Sequence, residues 1–360
     1  MKTTVPIRLY PTPEQATLLR AHGQEYISTV NVLVHALDAD VLPTGASTKD
    51  FTAALPSAVK NQDLRDARSV WTRAGDLGRI PILRKPLCQW NNQNWHLEGE
   101  MLFLPVCQDG QVHQIAIRCA PIAQEGAPGL LRIKRTRGKW MAEIAFTLPT
   151  PEPTPCSGVM GIDLGVTIPA VVHVVGKGTR YLGNGRYQRM MRRRFYARRK
   201  QMQQAGKIRA VRQSQGKERR WIRDVNHTLS RQIVAHAQAQ GVGVIRLERL
   251  AGIRQRTART SRGAKARTNN RMIATWPFSQ LSTFIAYKAE RIGISVEQVD
   301  PAYTSQTCPA CFARNKASDR RYVCSACGWG GHRDAVGAIN ISRRSAGTGA
   351  GGDSPRAAIA

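Results

Sequence analysis

The 360-residue sequence predicts a multidomain α/β protein, and three features carry that reading. Short apolar segments of strand-like pattern crowd residues 101–147. A proline-rich stretch, PTPEPTPCSG at residues 149–158, forms a stiff linker after which a new domain starts. Beyond it, strands alternate with long helices, the pattern of an α/β domain.

The first half opens with VPIRLY, a strand, followed by a helix start in which Thr12 caps, Pro13 fits the first helical position and Gln15 closes a capping box. Leu18, Leu19, Ile27, Val30, Val34 and Leu37 then recur near helical spacing and give one apolar face, with two or three further helices expected between residues 48 and 73. The signal from residues 75 to 98 is weak. MLFLPVC, VHQIAIR, GLLRIKR and KWMAEIAFT, separated by Gln108-Asp109-Gly110 and by residues 126–129, read as antiparallel strands. Strands this short need partners, so the first strand is expected to join them in a small β-barrel of residues 1–12 and 84–150, interrupted by a helical insertion at 13–83.

In the second half, VMGIDLGV reads as a strand with a hairpin partner at residues 168–175, and two long basic segments from residue 187 to about 240 as helices. A buried strand at 242–247 follows, then a Gly/Ser/Thr/Arg stretch at 251–271, a helix opened by Pro277 and a strand at 294–299. The small, polar tail at 345–360 is expected to be disordered. There is no internal repeat.

Fifty-four Lys and Arg against 24 Asp and Glu leave a net charge of +30, a self-repelling excess that calls for a polyanion, nucleic acid first. The run from 186 to 223 interleaves cations with Tyr187, Phe195, Tyr196 and Trp221. Arg192, Arg193, Arg194, Arg198, Arg199, Lys200, Arg219 and Arg220 are its candidate backbone contacts. The aromatics are expected to face the domain core, with base stacking as the alternative. Arg254, Arg256, Arg259, Arg262, Lys265, Arg267 and Arg271 suit a loop closing over a loaded site or a basic linker equally. A hydrophobic fraction of 42% excludes wholesale disorder. The apolar runs at 26–37 and 164–176 fall short of the roughly 20 residues a membrane span needs. MKTTVPIRLYPTPEQ has no signal-peptide core, so a cytoplasmic or nucleoid location is expected. No histidine is placed in a pattern that marks a catalyst.

Four of the eight cysteines, Cys88, Cys107, Cys119 and Cys156, are scattered and read as small apolar packing residues. The other four form two knuckles, Cys308-Pro-Ala-Cys311 and Cys324-Ser-Ala-Cys327, twelve residues apart. That spacing surrounds one tetrahedral zinc in a ribbon at 301–331; four thiolates leave no open position, so this metal holds the fold.

Three acids stand at informative places: Asp163 at the end of VMGIDLGV, Glu248 after VGVIRL, and Asp334 at the start of the apolar-faced HRDAVGAINI. Brought together, three carboxylates hold two divalent cations about 4 Å apart, a centre that cleaves phosphodiesters. On position alone, surface acids paired with the abundant arginines are the competing reading.

The order of segments is recognisable. GIDLGV, VIRLERL, DPAYTSQTCPAC…CSACG and HRDAVGAINI, with IRLYPTPEQ at the start and WPFSQLSTFIAYKAERIGISVEQVDPAYTSQ, resemble the TnpB proteins encoded by transposons, compact relatives of type V CRISPR effectors. The resemblance implies a wedge-like barrel with a helical recognition insertion, then an RNase H-like RuvC domain at 158–300 and 332–344 with the zinc ribbon inserted. It implies that Asp163, Glu248 and Asp334 bind Mg²⁺ as the catalytic acids. It also implies a noncoding guide RNA that pairs with target DNA beside a short motif read by the protein, so that pairing supplies the specificity and protein charge serves the backbones. One departure stands out: the family's Asp-Arg-Asp, with Asn two residues on, is here His332-Arg333-Asp334 with Val336. A nuclease-impaired guided repressor is therefore one alternative, and an RNase H-type transposase another.

Overall fold

The computed structural model describes residues 2–122, 126–149, 151–152, 158–249, 276–315 and 319–344. The expectations for the 251–271 loop and its arginines, for Cys156, for most of the linker and for the tail lie outside these residues. The chain divides into two compact units, Met1–Pro149 and Thr150–Ala360.

In the first unit, β1 (Lys2–Tyr10) leads into α1 (Pro13–Asp38) through the capping box: Thr12 Oγ1 accepts from the Gln15 amide at 3.2 Å, and Gln15 Oε1 from the Thr12 amide at 3.1 Å. One further helix, α2 (Ser57–Leu77), follows, in place of the two or three expected. The reason is local. Pro43, Gly45 and Pro56 break helical pairing before Ser57, and this connection buries Leu42, Ala46 and Leu55 without forming a helix. The strands are β2 (Leu87–Trp90), β3 (His96–Glu98), β4 (Met101–Gln108), β5 (Gln111–Cys119), β6 (Ala127–Thr136) and β7 (Lys139–Thr147). They form one antiparallel seven-stranded sheet with β1 at its centre, in the order β2-β6-β7-β1-β5-β4-β3. The edge strands β2 and β3 do not pair with each other, so the expected barrel is a half-barrel. Its apolar face (Leu102, Leu104, Val106, Ile117, Leu131, Ile144) is instead closed by the buried side of α1 (Tyr26, Val30, Leu33, Val34), which removes the need for closure. Cys88 and Cys119 pack in this core as expected.

Asp63 of α2 lies fully buried beneath that core, and among the described residues neither carboxylate oxygen has a hydrogen-bond partner. Burial first, then the charges of Asp66 and Glu25, raise its pKa from 3.8 to about 9. Between these values the native state holds a proton that the unfolded chain has released, so this group's contribution to stability falls as pH rises. Asp63→Asn is therefore expected to unfold at higher temperature than wild type at pH 8, with the gap closing towards pH 4, as followed by circular dichroism.

In the second unit, β8 (Gly158–Asp163), β9 (Ala170–Val174), β10 (Gly178–Leu182), β11 (Val242–Glu248) and β12 (Ser295–Val299) form a five-stranded sheet in the order β10-β9-β8-β11-β12. Strands β8, β11 and β12 are parallel, and β9 runs antiparallel to both its neighbours. Helices α3 (Gly185–Gln204), α4 (Ile208–Ser214) and α5 (Lys217–Ala239) connect β10 to β11, α6 (Phe278–Glu290) precedes β12, and α7 (Arg333–Arg343) closes the described chain. Met160 and Ile162 of β8 pack with Leu229 and Ile233 of α5 and Leu281 and Ile285 of α6. Side chains alternate along a strand, so Gly161 faces the other way, and there α7 lies against the sheet. No helix among the described residues is long and apolar enough to cross a membrane.

Candidate metal centre

Asp163 and Glu248 sit at the carboxyl ends of adjacent parallel strands, with Leu247 in register with Ile162. In open α/β sheets this is the edge where ligands bind. Asp334 enters from α7, in the first turn of the helix. Its approach depends on two glycines. A Cβ on Gly161 would stand 2.2 Å from the Ala338 carbonyl oxygen and 2.4 Å from the Ser342 amide, and a Cβ on Gly337 would meet Asp163 Oδ2 at 2.9 Å. Arg246 fixes the far end of the helix, donating to the Ser342 carbonyl at 2.9 Å while paired with Glu297.

All three acids line one cleft of about 470 Å³, together with Thr304, Ser305, Asp319, Arg320 and Arg333. The enclosure of Asp163, and after it the charges of Glu248 and Asp334, push its carboxyl well above the usual carboxylate range, with Arg333 opposing. The Thr304 hydroxyl donates to Glu248 Oε1. Thr304 is itself held from α7, because Asn340 Nδ2 donates to the carbonyls of Thr304 and Thr307, each at 2.7 Å. Arg320 bridges Asp334 Oδ2 at 3.0 Å and the Thr167 hydroxyl at 2.6 Å. Oxygen-only donors whose charges repel one another in a cleft fit hard divalent cations such as Mg²⁺.

The four cysteine sulfurs lie within 4.8 Å of one another, with Cys308–Cys327 at 3.7 Å and Cys311–Cys324 at 3.5 Å. A tetrahedron with Zn–S bonds of about 2.3 Å has edges of about 3.8 Å, so the donor set and its size fit zinc. The hairpin of β13 (Arg321–Val323) and β14 (Gly330–His332) carries the second knuckle between its strands. Tyr322 and Val336 are fully buried with Cys308 and Cys324 and join the ribbon to α7. Val336 thus packs on the ribbon, and His332, the other departure from the family motif, caps α7 by accepting from the Asp334 amide at 3.2 Å.

The basic candidates divide. Arg192 and Arg199 are committed to Glu218 of α5, at 3.0 and 2.8 Å, and serve to clamp α3 to α5. Arg193, Arg194, Arg198, Lys200, Arg219 and Arg220 are exposed. The expectation that the aromatics face the core is not met: Tyr187 and Tyr196 are 49% and 55% exposed, and Phe195 and Trp221 are half-buried between α3 and α5. Helix α3 carries too few apolar residues to bury a full face, and only Gly185 and Gln188 are buried on it. Sequence reading passed over Thr304, Asn340 and Arg320, whose roles arise only from long-range contacts, and over Asp319 in the cleft lining.

Elemental analysis of the purified protein is expected to find one zinc per chain. Cys324→Ser is expected to lose it and to destabilise the ribbon, whereas stoichiometric zinc on a folded variant would refute the four-thiolate site.

The family model described as Cas12f1-like, TNB domain, matches residues 278–341. The CRISPR-associated endodeoxyribonuclease Cas12f1 of Sulfoacidibacillus thermotolerans is 30% identical over 224 residues, covering 57% of this chain and 50% of that protein. A TnpB-like protein of Methanocaldococcus jannaschii is 32% identical over 131 residues, covering 36% of this chain and 45% of that one. The chain spans about half the length of the curated relatives it matches. Its fold is similar to the protein in a solved Cas12f1–sgRNA–target DNA complex, with a TM-score of 0.69 at 12% identity, covering 95% of this chain and 99% of that one. The chain is thus similar to Cas12f1 and TnpB-like proteins over its matched segments, and to the Cas12f1 structure in fold.

Proposed function

We propose that the protein is an RNA-guided DNA endonuclease of transposon origin, with an RNase H-like RuvC domain as its cutting unit. The observation that carries this reading is the convergence of Asp163, Glu248 and Asp334, from two neighbouring strand ends and a helix start, in one cleft. Similarity to proteins named as endodeoxyribonucleases supports it, as does the basic excess of the chain. The partners are a noncoding guide RNA and target DNA, whose backbones the exposed cations of α3 and α5 suit.

The three acids would hold two Mg²⁺, which supply an activated water and neutralise charge on the leaving oxygen. The chain's own residues set the geometry. Thr304 fixes the rotamer of Glu248 by donating to Oε1, Asn340 fixes Thr304, and Arg320 holds Asp334 towards the ribbon side of the cleft. Gly337 leaves space for the Asp163 carboxylate. The repressor alternative drew on Val336, and that side chain lies in the ribbon contact away from the cleft lining, which favours a cutting enzyme.

Cleavage of a plasmid library with randomised flanks, by protein loaded with RNA from its own genomic neighbourhood, tests the proposal. Mg²⁺-dependent double-strand cuts that need the RNA and vanish in Asp163→Ala are expected. Cuts unchanged in Asp163→Ala, or independent of RNA, would overturn it, and specific binding without cuts would restore the repressor. Within the same assay, Thr304→Val is expected to slow cleavage at least tenfold with RNA binding intact, and Thr304→Ser to restore most of the rate, because the serine keeps the hydroxyl that orients Glu248.

A further inference from the structure

We infer that α3 and α5 form a pocket for an unpaired nucleobase, with the phosphates of the same strand on an adjoining arginine face; this rests on the nucleic-acid reading above and goes beyond it by assigning a base-binding site. The pocket, about 340 Å³, lies between the start of α3 and the middle of α5. Tyr187 and Trp221 supply its rings, edge to face at 6.2 Å, and Leu229 its apolar floor. Polar groups face into it from both helices: Gln188, Asp224, Thr228 and Gln232. This combination of aromatic surface and hydrogen-bonding groups is what a stacked, edge-read base requires.

Two observations set the pocket apart from a solvated gap between helices. Gln188 is 5% exposed and lines the pocket, where its side-chain amide can both donate and accept. A base edge offers it donors and acceptors. Tyr187 and Asn184 also line a second, larger hollow of about 730 Å³ whose other walls include Arg186, Arg189, Arg193 and Arg194. A tyrosine thus stands between a cationic surface suited to phosphates and a polar aromatic pocket that contains a carboxylate and so disfavours them. The Arg192 and Arg199 pairs to Glu218 hold the two helices at this spacing. Asp224 accepts only, so the pocket favours bases that present N–H donors, guanine foremost.

The experiment uses the full chain with single-stranded 15-mers of RNA and of DNA, each made in a base-bearing and an abasic form. Tyr187→Ala is expected to weaken the base-bearing strand about tenfold and to leave the abasic strand unchanged, while Arg193→Gln with Arg194→Gln weakens both alike. Gln188→Leu is expected to act as Tyr187→Ala does, with zinc content and circular dichroism reporting that each variant folds. Strands carrying photoreactive 6-thioguanine in place of guanine are expected to crosslink to Tyr187 or Trp221. Crosslinking by RNA alone would identify the guide as occupant, and by DNA alone a DNA strand. Equal losses on base-bearing and abasic strands in Tyr187→Ala, or crosslinks mapping elsewhere, would overturn the pocket while the charge-based reading stands. Failure of wild type to bind either form would overturn the nucleic-acid reading itself.

Discussion

The contact on which the second unit depends is the seating of α7 against β8. Two backbones approach at Gly161 more closely than any side chain permits, since even a methyl there would overlap the Ala338 carbonyl. That approach carries Asp334 to the sheet edge where Asp163 and Glu248 already stand. Without it, the three acids are separate surface residues in a strongly basic chain, and their charges would be absorbed by arginines. With it, like charges are gathered in one cleft, an arrangement that repels itself and is relieved by a cation.

Around this contact the chain builds two sites of opposite chemistry. Four soft thiolates gather within 4.8 Å of one another in the ribbon, and three hard carboxylates line a cleft of about 470 Å³. The two are mechanically linked. Val336 joins α7 to the ribbon core, Asn340 ties α7 to the segment before the first knuckle, and Arg320 reaches from the start of the ribbon hairpin to Asp334. Disorder in the ribbon would thus loosen the cluster of acids through Thr304 and Arg320.

Much of this was legible in the sequence where the signal is local. The capping box at Thr12 and Gln15 spans four residues and appears as read. The cysteine knuckles announce themselves by spacing, and the three acids by standing beside apolar runs. Long-range events were not legible. Nothing near Thr304 marks it as a partner of Glu248, 56 residues earlier, or of Asn340, 36 later. The half-barrel was read as a barrel because alternation reveals which face of a strand is buried, without revealing whether a strand or a helix buries it. The strands β2 and β3 were too short, at four and three residues, to produce a pattern. The aromatics of α3 were assigned to the core by composition, and it is the shortage of apolar partners on that helix that leaves them at the surface.

Anomalous diffraction from crystals grown with Mn²⁺ in place of Mg²⁺ tests the central claim most directly, because it locates each metal independently of activity. The account predicts manganese in the cleft within coordinating distance of Asp163, Glu248 and Asp334, and a zinc signal confined to the four cysteines. A cleft empty of manganese at saturating concentration, or manganese bound there unchanged in Asp163→Ala, would contradict it.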